Sequence, residues 1–110
     1  MRIELLGKGG SEANRCPALY ATDQESYLAV GWTTGSPDKI EIPHLLTGFA
    51  EQRTYIGATM ADTGRGTFTL TGRPVTDDET LACLELADDE AAVEVPKLER
   101  TFYGHAASRR

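Results

Sequence analysis

The chain contains Tyr27-Leu-Ala-Val-Gly31-Trp32 followed by Ile40-Glu-Ile-Pro43, and a related pair of stretches recurs later in the sequence. The second pair is Phe68-Thr-Leu-Thr-Gly72-Arg73 followed by Val93-Glu-Val-Pro96. In each copy a β-forming run ends at a glycine, and a run of β-branched, Glu, β-branched and Pro residues follows. A recurring unit of this size predicts one supersecondary structure used twice, with an insertion in the second copy.

Local patterns around these stretches predict short strands and two hairpins. Residues 2–6, 39–42 and 91–95 read as strands. One hairpin is predicted from residues 16–22 and 27–32 across the turn at 22–26, and the other from residues 53–60 and 66–73 across the turn at 62–65. Pro43 suits the first position of a helix over residues 44–51, and Pro96 suits a last helical turn through Phe102 and Tyr103.

One further helix is predicted in the insertion of the second copy. Thr76 and Glu79 have the spacing of a capping box, with Thr76 as the cap. The buried side of this helix would carry Leu81, Leu84 and Cys83, since a widely spaced cysteine in a reducing compartment usually behaves as a small buried hydrophobe.

These elements predict a β-rich α+β fold, an antiparallel sheet built from two related β-hairpin-plus-short-helix repeats packed as one domain. The domain would cover residues 1–104, with repeats at roughly 16–50 and 54–103 and a flexible tail at 105–110. Neither repeat is large enough to hold a core alone. We therefore expect Leu28 and Val30 to share one core with Phe68 and Leu70. An exposed edge strand would also allow a homodimer.

The charge of the chain argues against two classes of partner. The formal net charge is −6 at pH 7, which disfavours direct binding to nucleic acid or to an anionic membrane. One stretch without Lys or Arg, between Arg73 and Lys97, carries Asp77, Asp78, Glu79, Glu85, Asp88, Asp89, Glu90 and Glu94. Such a cluster is either a solvated face that keeps the protein soluble or a docking surface for a basic partner.

The candidate partner-binding residues come from this stretch and from the single tryptophan. Trp32 either covers the edge of the core or anchors a partner, and the second copy has Arg73 at the matching position, which favours the anchor. The predicted partner-binding set is Trp32, Asp77, Asp78, Glu85, Asp88, Asp89 and Glu90.

No residue pattern predicts catalysis, a cofactor or a metal. Cys16, Cys83, His44 and His105 are scattered, whereas structural zinc ligands come in closely spaced pairs. Cys16 has no histidine with a recognisable orienting partner, as nucleophilic catalysis requires. The run Gly7-Lys-Gly-Gly-Ser11 has the wrong order for a phosphate-binding loop. We therefore expect a protein that is not an enzyme.

The expected location is the cytoplasm. No apolar run approaches the ~20 residues of a membrane span. The N-terminal residues 1–7 also lack the apolar stretch and cleavage site of a signal peptide.

Several stretches resemble small acidic actinomycete proteins that accompany XRE-type helix-turn-helix regulators, including BldB-like developmental proteins. The residues that carry the resemblance are Asn14–Asp23, Tyr27–Trp32, Phe68–Gly72, Val75–Leu81 and Ala92–Pro96, just under a third of the chain. The chain differs in an extra segment at about residues 51–65. The resemblance implies a partner protein in transcription regulation, with no catalytic residues to carry over.

Three functions follow as hypotheses. The first is a regulatory protein that binds and modulates a helix-turn-helix transcription regulator through its acidic surface. The second is an immunity or antitoxin-like inhibitor of a toxin, which the acidic balance fits equally well. The third is a small-ligand-binding β-rich domain with an apolar pocket between the repeats, lined by Cys16, Tyr27 or His44.

Overall fold

The computed structural model describes residues 1–9 and 17–100, and strands dominate its elements, which confirms a β-rich α+β domain. The strands are β1 (Ile3–Lys8), β2 (Ala18–Thr22), β3 (Ser26–Thr33), β4 (Lys39–Pro43), β5 (Thr54–Ile56), β6 (Met60–Asp62), β7 (Thr67–Thr71), β8 (Arg73–Pro74) and β9 (Glu90–Glu99). A 3₁₀ helix covers His44–Phe49, and helix α1 covers Asp78–Leu84.

The described strands form an open antiparallel sheet centred on β3. β2 pairs with one side of β3, and β9 pairs with the other side from Ser26↔Pro96 to Trp32↔Glu90. From the end of β3 the sheet continues through β4 and β7 to β6, while β9 also pairs with β5 and β8. β3 thus contacts three strands, and its register is set by all of them.

Strand β3 is buried on both faces, because alternate side chains of a strand point to opposite sides of the sheet. Tyr27 and Ala29 face a core that also contains Leu19, Ile40, Ile42, Leu46, Ile56, Leu70, Val93 and Val95. Leu28 and Val30 face a smaller second core with Ala18 and Ala92. The expectation of one core shared by Leu28, Val30, Phe68 and Leu70 is therefore wrong. The pattern predicted burial of these strands, but it did not reveal that helix α1 covers the second face.

At Gly31 and at Gly72, the backbone of one strand lies very close to a neighbouring strand. A Cβ atom on Gly31 would overlap the carbonyl oxygen of Glu41 and lie 2.8 Å from Cγ2 of Ile42. A Cβ atom on Gly72 would lie 2.8 Å from the carbonyl oxygen of Glu94. Only glycine permits such an approach without moving the backbone.

The segment after Pro96 differs from the prediction. Pro43 does precede a helical segment, the 3₁₀ helix. After Pro96, however, the chain stays in β9, and Lys97–Glu99 pair with β5. The predicted helical turn is wrong for residues 97–99, since pairing with a distant strand overrides the local signal of the proline. Phe102 and Tyr103 lie outside the described residues. A repeat of hairpin plus short helix is accordingly not confirmed for the second half.

Strand β1 forms one edge of the described sheet. Its pairing with β2 is interrupted by an irregularity between Leu5 and Gly7, and it ends in the exposed Lys8. A bulge and a charged residue both discourage pairing with a second chain. The predicted homodimer stays a prediction.

Candidate interaction surface

Helix α1 begins at an aspartate cap. The backbone N–H of Thr80 donates to Oδ2 of Asp77 at 3.1 Å, and the hydroxyl of Thr80 donates to the same oxygen. These hydrogen bonds from Thr80 lower the pKa of Asp77. The predicted capping box is wrong by one residue, because the cap is Asp77 and not Thr76. The buried side chain of Thr80 places Asp77, and not its neighbour, over the end of the helix.

One side of α1 covers the second core. Leu84 and the following Leu86 pack with Val75 against Leu28 and Val30. Cys83 is exposed, so its predicted burial is wrong. The helix has only seven residues, and its buried side is carried by Thr80, Leu84 and the partly buried Leu81. The exposed side therefore carries the acidic residues.

The C-terminal end of α1 accumulates negative charge. No basic residue lies in its last turn, although the carbonyl end of a helix favours cations. Glu85 follows directly, with φ 52° in the left-handed region, and its N–H donates to the carbonyl of Leu81 at 3.2 Å. Asp88 and Asp89 are both exposed in the next turn. This end of the helix therefore has a negative electrostatic character, and its own last turn supplies no basic residue.

We expect Glu85→Gly to stabilise the fold by about 0.5 kcal/mol, because glycine adopts the left-handed conformation without the steric cost of a Cβ. The change also removes one carboxylate from the negative end of the helix. Urea unfolding measures the free energy of unfolding. Glu79→Gly, inside the same helix, should lower it instead, and a loss of stability in both variants would contradict the helix-end argument.

The structure brings Trp32, Asp89 and Glu90 together. Trp32 is half-buried at the end of β3 and pairs directly with Glu90 on β9, so the two side chains share one face of the sheet. The N–H of Thr33 donates to the carbonyl of Asp89 at 2.9 Å, which holds this turn against the end of β3. Asp77 and Asp78 lie at the N-terminal end of α1. A helix of seven residues is about 10 Å long, so this distance separates them from the C-terminal end of α1.

Seven carboxylates thus belong to one feature, which we call the acidic surface. It runs from the start of α1 to the start of β9 and comprises Asp77, Asp78, Glu79, Glu85, Asp88, Asp89 and Glu90. Trp32 borders it. All seven residues are exposed except Glu90, which is half-buried and accepts a hydrogen bond from the N–H of Ala87 at 2.9 Å.

Glu94 belongs to the same acidic stretch of sequence but has a structural role. Its carboxylate accepts from the hydroxyl of Ser26 at 2.6 Å and from the guanidinium of Arg73 at 2.5 Å. Burial raises the pKa of Glu94, but these two hydrogen bonds outweigh it, and the pKa lies below its usual 4.5. A second carboxylate, Glu41, has a similar environment. It accepts from the hydroxyl of Thr67 at 2.5 Å, which lowers its pKa, and from Arg65 at 3.0 Å.

These two carboxylates predict a loss of stability in acid. A carboxyl group whose pKa is lower in the folded than in the unfolded state stabilises the fold above the unfolded-state pKa. That contribution disappears as the pH falls through the folded-state pKa. Glu94→Gln should lower the free energy of unfolding at pH 7 by about 1 kcal/mol and flatten its decline below pH 4.5. Chemical unfolding across pH 3 to 7 measures both, and Glu4→Gln on the exposed side of β1 is the control. An unchanged slope in Glu94→Gln would contradict the assignment.

A groove of about 530 Å³ lies between α1 and strands β1 and β2. Its lining residues are Lys8, Tyr20, Cys83, Leu84, Glu85, Ala87 and Glu90. Burial first, and then the charge of Glu90, raise the pKa of Tyr20, so its hydroxyl stays protonated. The sequence pattern does not predict that Lys8 and Tyr20 belong to this region. The alternation in β2, where Tyr20 shares a face with Ala18, is the signal that could have placed Tyr20 there.

The ligand-binding hypothesis expects an apolar pocket lined by Cys16, Tyr27 or His44. The structure shows the surroundings of Tyr27 and His44. Tyr27 is fully buried, and its hydroxyl accepts from the N–H of Glu51 at 2.6 Å and contacts Oγ1 of Thr54 at 2.5 Å. Its side chain belongs to the main core. His44 is exposed, with Nε2 3.4 Å from Asp62. Cys16, the third residue of that hypothesis, lies outside the described residues.

The described residues contain neither a group of metal ligands nor a membrane-spanning helix. Within residues 1–9 and 17–100, no group of three His, Cys, Asp or Glu side chains is placed to hold a metal ion. Cys16 and His105 are not among these residues. No helix in this part of the chain is long and apolar enough to cross a membrane.

Comparison with protein-family models, with curated proteins and with solved structures finds no match for this chain.

Proposed function

We propose that this protein is a non-enzymatic regulator that binds and modulates a helix-turn-helix transcription regulator through the acidic surface. The resemblance to small acidic partner proteins suggests the class of partner, and the charge of the surface supports it. Such regulators carry basic surfaces that contact DNA phosphates. A carboxylate-rich surface can compete with DNA for the same basic residues.

The distribution of ion pairs is the observation that carries this proposal. In the described part of the chain, the four ion pairs engage Asp62, Glu41, Glu94 and Glu51. None of these carboxylates belongs to the acidic surface. The seven carboxylates of the acidic surface take no part in these four pairs, and no basic residue lies in the last turn of α1. Positive charge on a partner would offset the repulsion among these carboxylates, and it would also accelerate the encounter between the two proteins.

Affinity capture from the native host tests the proposal. Tagged protein is used as bait, and the resin is washed at low and at high salt before the captured proteins are identified. We expect one helix-turn-helix protein at low salt that is lost as salt rises, because exposed charge pairs are screened. A toxin-like enzyme in its place would contradict this function and support the immunity hypothesis instead.

We also infer that the two sequence copies are related by an approximate twofold axis. Ser26 of the first copy donates to Glu94 of the second, and Thr67 of the second donates to Glu41 of the first. The registers match as well, since Ser26 pairs with Pro96 and Thr67 with Pro43.

The two glycines of the copies support the same inference. Gly31 approaches the carbonyl oxygen of Glu41, and Gly72 approaches that of Glu94. Each residue after the glycine then pairs with the same glutamate, as Trp32↔Glu41 and Arg73↔Glu94. If the relation holds, Ser26→Ala and Thr67→Ala should lower the free energy of unfolding by similar amounts, of about 1 kcal/mol each.

A further inference from the structure

We propose that the groove between α1 and strands β1 and β2 binds a basic, partly apolar peptide segment of the partner. This inference rests on the proposed function and deepens it, since it names the part of the surface where the partner inserts a side chain. A cationic side chain would lie between Glu85 and Glu90, and apolar carbon would cover Leu84 and the ring of Tyr20.

The lining of the groove combines the two properties that such a segment needs. Leu84 and Ala87 provide apolar surface, and the partly buried ring of Tyr20 extends it. Glu85 and Glu90 supply carboxylates on the same groove. Arginine and lysine side chains match this pattern, because their apolar stems can lie on carbon while the charged head reaches a carboxylate.

Charge favours a cation from outside the chain at this position. Glu85 stands at the carbonyl end of α1, where no basic residue of the last turn neutralises the helix dipole. Asp88 and Asp89 extend the negative potential beyond the groove. Lys8 is the one basic residue in the lining, and it comes from β1, on the opposite wall from α1. The groove is thus negative along α1 and positive at one position of β1.

Other occupants fit less well. A phosphate or a nucleic-acid backbone would meet Glu85 and Glu90 directly. A second copy of this chain carries the same net charge of −6, so its approach would be opposed by repulsion. A basic protein segment is the occupant that charge complementarity favours.

Cys83 lies in the lining and is exposed, which provides a direct readout. In a Cys16→Ser background, Cys83 is the single thiol, and its rate of reaction with a chromogenic disulfide reports access to the groove. Two synthetic peptides of equal charge are compared, one with arginine and leucine and one with arginine and serine. At a leucine-peptide concentration ten times its Kd, the reaction should slow roughly tenfold. The serine peptide should bind about tenfold more weakly, since it lacks the apolar side chain.

Charge variants locate the binding further. Glu85→Gln with Glu90→Gln should weaken the leucine peptide roughly fivefold, the sum of two modest exposed ion pairs. The matched control, Asp38→Asn with Glu99→Gln, changes the charge equally at two exposed positions outside the acidic surface and should leave the affinity unchanged. Equal affinity for both peptides, or an unprotected Cys83 in the complex, would overturn the groove proposal.

The failure of this inference can be distinguished from failure of the proposed function. If the captured regulator binds through Asp88 and Asp89 while Cys83 stays fully reactive in that complex, the groove proposal is wrong and the proposed function stands. If no helix-turn-helix regulator binds the acidic surface at all, the proposed function fails, and any peptide protection of Cys83 then describes a different partner.

Discussion

Gly31→Ala should destabilise the fold by about 3 kcal/mol or more, the largest single-residue effect that we expect. Gly31 is buried in β3, and a Cβ there would overlap the carbonyl oxygen of Glu41 and meet Cγ2 of Ile42. Neither atom can easily move aside, because the oxygen belongs to the backbone and Ile42 is packed in the main core. The added methyl group must therefore move β4 away from β3.

The measurement is urea unfolding followed by the fluorescence of Trp32, which adjoins Gly31. Gly48→Ala is the matched control, because a Cβ at that position meets nothing within 4 Å and its φ is not positive. We expect it to be neutral or to stabilise the fold slightly, by lowering the entropy of the unfolded chain. Similar stabilities for Gly31→Ala and Gly48→Ala would contradict the close approach of β3 and β4.

Neutralising Asp88, Asp89 and Glu90 together should weaken binding to the helix-turn-helix partner about tenfold at low salt. An exposed ion pair contributes roughly 0.5 kcal/mol, and three of them approach the ~1.4 kcal/mol that corresponds to a factor of ten. Asp88→Asn, Asp89→Asn and Glu90→Gln preserve size and hydrogen-bonding capacity. Glutamine at position 90 can still accept from the N–H of Ala87. The fold should therefore survive the change.

A second triple variant controls for net charge. Glu4→Gln, Asp38→Asn and Glu99→Gln neutralise three exposed carboxylates outside the acidic surface. Calorimetric titration of the purified partner compares both variants with the natural chain. We expect the control variant to bind as the natural chain does, apart from a small long-range effect. Equal losses in both triple variants would mean that total charge, and not this surface, determines the affinity.

Much of the sheet could be predicted because its signals are local. The turn residues between Thr22 and Ser26, with an apolar β-forming run on either side, predict the β2–β3 hairpin. The path of β9 beyond Pro96 could not be predicted, since it depends on pairing with β5 from a distant part of the chain. The apolar runs around Leu28 and Leu70 also predict that both side chains are buried, but they do not tell which face of the sheet each one occupies.

The candidate site likewise contains residues that the sequence predicts and residues that it does not. Its carboxylates follow one another in sequence, so charge patterning alone finds them. The cap at Asp77 depends on the burial of Thr80, which is a tertiary property, and the sequence pattern favoured the neighbouring threonine instead. Lys8 and Tyr20 join the groove only because β1 and β2 pair beside α1. Glu94 shows the reverse case, since the sequence places it among the acids and the fold engages it with Ser26 and Arg73.

The salt dependence of binding between the natural chain and its captured regulator shows whether the carboxylates of the acidic surface recognise the partner. Calorimetry at low and high salt, with both proteins purified, gives the two dissociation constants. The account predicts a single binding event whose affinity falls steeply as salt rises, because screening shortens the reach of the acidic surface. An affinity that does not change with salt would contradict recognition through these carboxylates.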